Sequence, residues 1–376
     1  MDLTVITTYR CDSQCSMCHI WQNPTLPHEE IALATLEKIP SGIDNLNITG
    51  GEPTLRRDLP DIVDILYPKA RTLEISSNGL HAERLEPIIR KYPDIKVRFS
   101  LEAPNATSDA IRGEKDGFER KVAGLRRLKA LGGRDLGFAA VIQDDNAEEI
   151  VELYRFARRE GVELATSALH NAFQFHKSDN IPYDRVRVAK RIEGIIVEML
   201  RTWSVKNWFR AYLNLGLIAK TLGHDRLIRC TAGTDFVFVD PWSDVYACNV
   251  RPDLRMGNLA QSSWAEVFNG DATEKVRAHV CACDQNCWMV TTARTAMRSA
   301  MMPALPKLQP LLWVIANRLR VAVGGSIPFD QYIDYTDVRY DPTVPRRVQF
   351  LNVTVKRRPH AASAAPYASF GTYFNR

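Results

Sequence analysis

At 376 residues, 45% hydrophobic and 25% charged, the chain has room for a barrel-sized domain plus a smaller one, with the balance of an ordinary globular protein. Its net charge of +5 is uneven: from Trp288 onward there are 12 Lys/Arg against 4 Asp/Glu, and before it 37 against 40. A slightly acidic body with a basic tail argues against a nucleic-acid groove across the main domain.

Met1-Asp2 leads straight into the first predicted strand, residues 3–8, with no basic n-region, so no export signal is expected. Eight cysteines without such a signal point to a reducing, cytoplasmic setting and to metal binding. Cys11, Cys15 and Cys18 follow the strand at C-x3-C-x2-C spacing. Three thiolates on one tight loop suit an iron–sulfur cluster and leave a four-iron cluster one ligand short, with an iron open to something else. Zinc is the competing reading, but a structural zinc site takes four ligands, and His19, adjacent to Cys18, is awkwardly placed as the fourth. A disulfide would leave an odd thiol.

Further strand-like runs lie at 45–49, 72–76, 95–101, 136–142 and 162–167, with helical spacing at 29–39, 59–66, 82–91, 119–130 and 147–160. Six strand-then-helix units predict a parallel sheet, which right-handed crossovers curl into a barrel or part of one. The expected fold is α/β, a partial (β/α)6 TIM-like barrel followed by a small α+β domain. The unusual residues fall at strand ends. The cysteines follow the first strand, Gly50-Gly51-Glu52-Pro53 the second and Ser77-Asn78-Gly79 the third. Ser100-Leu101-Glu102 ends the fourth, with Asp144-Asp145-Asn146 after the fifth and His170-Asn171 after the sixth. Carboxyl ends of strands build the site in parallel barrels, so all are expected on one rim.

Residues 183–222 read as helix with core-type apolar spacing. Cys230 and Cys248 then bracket a predicted hairpin, strands 236–239 and 245–247 joined by Asp240-Pro241-Trp242-Ser243-Asp244. Cys281, Cys283 and Cys287 follow, closed by Trp288. In the basic tail, 311–323 is apolar but broken by Asn317, Arg318 and Arg320, too short and too charged to span a bilayer. A basic amphipathic helix docked on the domain is expected, with contact to a membrane surface or lipid-linked substrate as the alternative. The stretch beyond Ser326 receives no function: it can close over the barrel mouth, bind a partner or hang free. Residues 361–376 read as weakly ordered or dispensable.

Together these residues resemble the radical S-adenosylmethionine (radical SAM) enzymes. The cysteine loop matches that superfamily's C-x3-C-x-Φ-C motif, with Met17 where an aromatic is commoner; a methionine can also pack on an adenine face. Gly50-Gly51-Glu52-Pro53 matches its GGE motif. Phe99-Ser100-Leu101-Glu102, with Ile111-Arg112-Gly113, resembles the fourth-strand signature of the peptide- and sugar-modifying branches. The second cysteine group resembles the SPASM domain or its shorter twitch form, in which a cysteine pair flanks a hairpin as C-x-n-G-x4-C. Ser243 holds the glycine position, which predicts a slightly different turn. Five cysteines here, against seven in a full SPASM domain, support one auxiliary cluster.

The resemblance implies roles. Cys11, Cys15 and Cys18 would hold a [4Fe–4S] cluster with an open site for S-adenosylmethionine, whose reductive cleavage releases a 5′-deoxyadenosyl radical. Gly50, Gly51, Glu52 and Pro53 would lie at the methionine ammonium, Arg112 at its carboxylate, and Ser77, Asn78 and Ser100 at ribose or methionine. Cys230, Cys248 and Cys287, with Cys283 or Cys281, would hold one auxiliary [4Fe–4S] cluster; zinc is the competing reading. Glu102, His170 and the tyrosines around Tyr212 are candidates for a catalytic acid, base or hydrogen donor. The expected spans are 1–225 for the barrel, 226–290 for the auxiliary domain and 291–376 for the basic extension.

The implied activity is an oxidoreductase abstracting hydrogen from a small-molecule or sugar/glycan substrate, by dehydrogenation, epimerisation or a related reaction. It would be served by a flavodoxin- or ferredoxin-type electron donor. One alternative is a ribosomal-peptide-modifying enzyme, weakened because the catalytic loop starts at residue 11 with no winged-helix module before it. The other is a non-catalytic iron–sulfur or zinc carrier or scaffold, which would leave the rim residues without purpose.

Overall fold

A computed structural model describes residues 1–300 and 308–349, so the expectation for 361–376 lies outside the described residues. Six parallel strands form its centre: β1 (Asp2–Ile6), β2 (Ile43–Thr49), β3 (Ala70–Ser77), β4 (Lys96–Ser100), β5 (Asp135–Ile142) and β6 (Glu163–Ala168). Their spatial order is their chain order, each pairing with the next through a crossover. Alternation along each strand decides what faces the lumen. Ile48, Leu73, Ile75, Val97 and Phe99 are buried in the core, while Asn45, Asn47, Glu74, Ser76, Lys96, Arg98 and Ser100 line the interior. Barrel interiors are commonly filled by branched apolar side chains. Here polar and charged side chains enter among apolar ones and the lumen stays open, with a cavity of about 690 Å³.

The sheet does not stop at β1. Strand β7 (Phe236–Val239) pairs with it in parallel, Leu3 opposite Val237, and β8 (Asp244–Tyr246) and β9 (Arg255–Asn258) continue antiparallel. The hairpin between Cys230 and Cys248 therefore extends the barrel's own sheet.

On the other side the sheet ends at β6, and helices complete the wall. Helix Val205–Leu222 packs on β6 and sends Lys206 and Arg210 to Glu163 at the strand's first residue, at 2.7 and 2.8 Å. Helix Val290–Ala300 sends Arg294 and Arg298 to Asp2 at the start of β1, at 2.7 and 3.2 Å. Charged residues at the amino ends of two strands thus recruit the helices that line the gap between them.

One expectation changes, the docked basic helix holds, and of the three options left open beyond Ser326 one falls away. The helix predicted over 29–39 is broken into a 3-10 turn, Pro27–Glu29, and a short helix, Leu33–Glu37. Glu30, extended between them, is drawn to the cysteine loop, where its carboxylate accepts from Arg10 Nε at 2.6 Å and Nη2 at 2.9 Å. The tail, as far as residue 349, does not hang free. Helix Gln309–Ala322 docks on helices Arg185–Arg201 and Val205–Leu222. Beyond it, buried Asp341 pairs with buried Lys220, and the Arg339 carbonyl accepts from Arg185 Nη1 at 2.7 Å.

Candidate active site

Backbone holds the cysteine loop on two sides. The amides of Gln14 and Ser16 donate to the carbonyls of Arg112 and Ile111, both at 2.9 Å, and those of Gly51 and Glu52 to Thr8 and Arg10 at 2.8 and 2.7 Å. A side chain at Gly50 or Gly51 would collide with the carbonyl oxygens of Thr8 and Arg10. The glycine pair is thus required by the loop it packs on, before any ligand is considered.

One cavity brings together Cys11, Cys15, Cys18, Met17, Gly50, Gly51, Ser77, Asn78, Ser100, Glu102 and Arg112. Asn78 Nδ2 donates to Asp12 Oδ1 at 2.7 Å and to Ser13 Oγ at 3.0 Å, fastening β3 to the loop. Glu52 and Pro53 sit behind this surface. The Glu52 carboxylate accepts from the Thr54 amide and hydroxyl (2.9 and 2.6 Å), the Ser77 hydroxyl (2.9 Å) and the Asn78 amide (2.5 Å). Burial raises its pKa against the pull of those bonds. Its observed work is to tie the end of β2 to the end of β3, and Pro53 opens the turn Pro53–Leu55 beside it. His170 is not among the cavity-lining residues. Its Nδ1 lies 3.0 Å from the Ala168 carbonyl, its ring faces Phe175, and desolvation lowers its pKa. Tyr212 is buried against Trp313, with ring centroids 5.5 Å apart, and does not reach the cavity.

Beneath the loop lies a chain of buried charges. Arg112 stands between Glu102 (2.9 Å) and Glu114 (3.1 Å), and Glu114 also pairs with Lys121. The second Glu102 oxygen accepts the Val141 amide at 2.7 Å, and Ser13 Oγ donates to Glu114 at 2.6 Å. Burial opposes charge on Arg112, yet Cys15, Glu102 and Glu114 outweigh it and raise its pKa. Burial and the neighbouring Arg112 instead push Lys121 down to about 8. Burial also pushes the Cys11 and Cys18 thiols up to about 12, and that of Cys15 in the same direction. Without metal the loop presents neutral thiols, whose protons must leave when metal binds.

Cys230, Cys248, Cys283 and Cys287 line a second pocket, of about 270 Å³. Cys281, the last residue of helix Asp271–Cys281, is exposed and outside it, so the fold leaves that thiol out of the group. Burial pushes Cys248 up to about 12 and Cys287 to about 11. Arg226 Nη1 donates to the Cys287 carbonyl and lies 4.0 Å from its sulfur, with the guanidinium over the Trp288 ring. No three donors among the described residues converge on a single-ion site. Four thiolates can close either a structural zinc site or an iron–sulfur cluster. In the hairpin turn, Ser243 has φ +70°, the left-handed backbone that glycine favours. The turn keeps the glycine conformation, contrary to the altered one expected.

Sequence reasoning missed the floor of the cavity: Asn45, Asn47, Glu74, Lys96, Arg98, Lys206, Arg210, Arg294 and Arg298. Lys96 enters none of the ion pairs among the described residues, and burial lowers its pKa against the opposing pull of Glu74. The signal was present in the strands, where polar residues alternate with apolar ones through 45–49, 72–76 and 96–100.

Comparison with known proteins agrees with this geometry. A Radical SAM superfamily model matches residues 5–157, and an iron–sulfur cluster-binding domain model, SPASM, matches residues 230–288. The chain is 30% identical over 231 residues to a probable GTP 3′,8-cyclase of Saccharolobus islandicus, covering 54% of this chain and 75% of that protein. It is 26% identical over 302 residues to the mycofactocin maturase MftC of Mycolicibacterium smegmatis, covering 74% of each. Native anSMEcpe with bound AdoMet and Cp18Cys peptide superposes with a TM-score of 0.56 at 13% identity, covering 86% of this chain and 99% of that one. The chain belongs to the radical SAM superfamily and carries a SPASM iron–sulfur domain. Its cofactors are [4Fe–4S] clusters and S-adenosylmethionine.

Proposed function

We propose that the protein is a radical SAM oxidoreductase acting on an anionic small molecule or sugar held in the barrel lumen. The observation that carries this reading is the single cavity joining three thiols at one rim to a cationic floor. When bound, the cluster and S-adenosylmethionine supply abstraction of hydrogen from an unactivated C–H bond. Cys11, Cys15 and Cys18 would hold the first cluster, and Cys230, Cys248, Cys283 and Cys287 the auxiliary one. Met17 and Ser100 line the space beside the cysteine loop and would bound S-adenosylmethionine, together with the backbone of Gly50 and Gly51. Glu102 has both oxygens engaged by Arg112 and Val141, which supports a positioning role rather than proton exchange. Lys96 would orient an anionic group away from the rim, with Arg294 and Arg298, already paired with Asp2, adding positive charge around it, so that the other end of the substrate faces the cofactor. The cavity of about 690 Å³ would also hold the cluster and S-adenosylmethionine, and the space left over suits a substrate of small-molecule size. We also propose that the functional barrel spans 1–225 and the auxiliary unit 226–290.

A second reading, action on a peptide, has support in the relative named a maturase and in the peptide bound to the solved structure of similar fold. Deuterated sugars, sugar phosphates and peptides incubated with reconstituted, reduced enzyme separate the two. Deuterium in 5′-deoxyadenosine from an anionic sugar or small molecule is expected, with the KM raised in Lys96→Gln. Transfer from peptides alone would overturn the first reading.

A further inference from the structure

Helix Gln309–Ala322 has two unlike faces. Trp313, Val314 and Asn317 are buried against the helices beneath, with Trp313 set against Tyr212 and Asn317 Nδ2 donating to the Trp313 carbonyl at 2.9 Å. That face explains why the helix docks. The opposite one is unexplained by folding. Leu312 and Leu319 are 61% and 62% exposed, Ile315 48% and Val323 84%. Their spacing, three residues and then four and four, sets them in one stripe along the helix. Arg318 and Arg320 each neighbour Leu319, so at about 100° per residue they flank the stripe on either side. Trp203, 88% exposed in the connection between the two supporting helices, stands beside it with the Arg318 guanidinium 4.9 Å from its ring centroid.

Charge decides what can cover this face. Residues 285–329 contain five Lys/Arg and no Asp or Glu, and residues 350–376 contain four Lys/Arg and no Asp or Glu. A second copy seated about a two-fold axis near Leu319 would set arginine against arginine. The chain's own last segment would add cations to cations. An apolar stripe edged by arginines, with an exposed tryptophan beside it, is instead complementary to the headgroup layer of an anionic membrane. We propose that this face docks the protein on an anionic bilayer surface. The helix has 14 residues, about 21 Å at 1.5 Å per residue, too short to cross a hydrocarbon core of about 30 Å, so it lies in the interface. No described helix is long and apolar enough to span. Helix Val205–Leu222, on which it rests, lines the barrel cavity with Phe209 and Leu213, so docking sets the lumen one helix layer from the lipid.

The test is co-sedimentation of the full-length reconstituted enzyme with phosphatidylcholine–phosphatidylserine vesicles, against phosphatidylcholine alone. Binding to the anionic vesicles only, reversed by salt, is expected. Each of Arg318→Gln and Arg320→Gln should weaken it about fivefold, the factor equivalent to about 1 kcal/mol per cation near such a surface. The double variant Leu312→Gln, Leu319→Gln should weaken it about tenfold or more. All these variants should keep wild-type 5′-deoxyadenosine formation in solution, since the residues lie outside the cavity. Absence of binding, or equal binding by the variants, overturns the proposal. So does a dimer in light scattering that the leucine variant dissociates, or binding seen only after residues 350–376 are removed.

Discussion

The two cysteine pockets are assembled in opposite ways. The first takes three thiols from eight consecutive residues, 11–18, held by backbone bonds from 14 and 16 to 112 and 111 and, just ahead of the loop, from 51 and 52 to 8 and 10, and it opens on a lumen of about 690 Å³. The second gathers four thiols from a span of 58 residues, Cys230 to Cys287, around about 270 Å³. A loop that short, pinned on two sides, brings no fourth donor of its own, and its free side faces the cavity. A site gathered over a long span can surround what it holds. Ligand count thus follows from chain path: the first pocket is made to share its contents with a ligand, the second to keep them.

The largest effects should come from removing one thiol from each. Cys15→Ala is expected to abolish reductive cleavage of S-adenosylmethionine, whereas Cys248→Ala should spare cleavage and stop product formation, both read as 5′-deoxyadenosine and product yields. Undiminished turnover by the Cys248 variant would show that product formation does not need the auxiliary site, and would remove the contrast with it. Arg112→Met comes next. It leaves Glu102 and Glu114 buried, with Lys121 the remaining cation, and should cost about 3–5 kcal/mol in denaturant unfolding. If a brace peculiar to the first pocket is what fails, iron should be lost there and kept by the auxiliary site.

Asp240 sharpens the comparison from the hairpin side. Burial and Asp244 push its carboxyl up to about 8, while in an unfolded chain aspartate titrates near about 3.9. Between those values the folded state holds a proton that the unfolded state has released, so stability falls as pH rises through that window. Asp240→Asn should flatten the slope and add at least about 1 kcal/mol at pH near 8 and above, seen in melts across the window. An unchanged slope would mean that the carboxyl ionises freely. The smallest effect is Ser243→Gly, expected to add about 1 kcal/mol by relieving the left-handed φ of +70°. A loss of stability there would mean that the serine hydroxyl contributes more than its backbone costs.

How much of this was legible depends on the range of the interaction that decides each feature. Strand periods and cysteine spacing are local, so all six strands and both thiol groups could be read along the chain. The break at Glu30 could not, because it is set by Arg10, twenty residues earlier. Glu52 looked like a ligand-facing group from its position, yet Ser77 and Asn78 use up its oxygens from across the sheet. The cationic floor was visible in principle, as polar alternation in the strands. Periodicity alone does not say which polar face of a strand turns to a lumen and which to solvent. Arg294 and Arg298 were beyond reach, since only folding brings helix Val290–Ala300 beneath β1.

The most direct test of the account is reduction of anaerobically reconstituted protein in the presence of S-adenosylmethionine, with 5′-deoxyadenosine quantified for the wild type and for Cys15→Ala. The account predicts 5′-deoxyadenosine from the wild type and none from the variant, even with the auxiliary cluster loaded. Equal yields from both, or none from wild-type protein carrying iron and sulfide in both pockets, would contradict it.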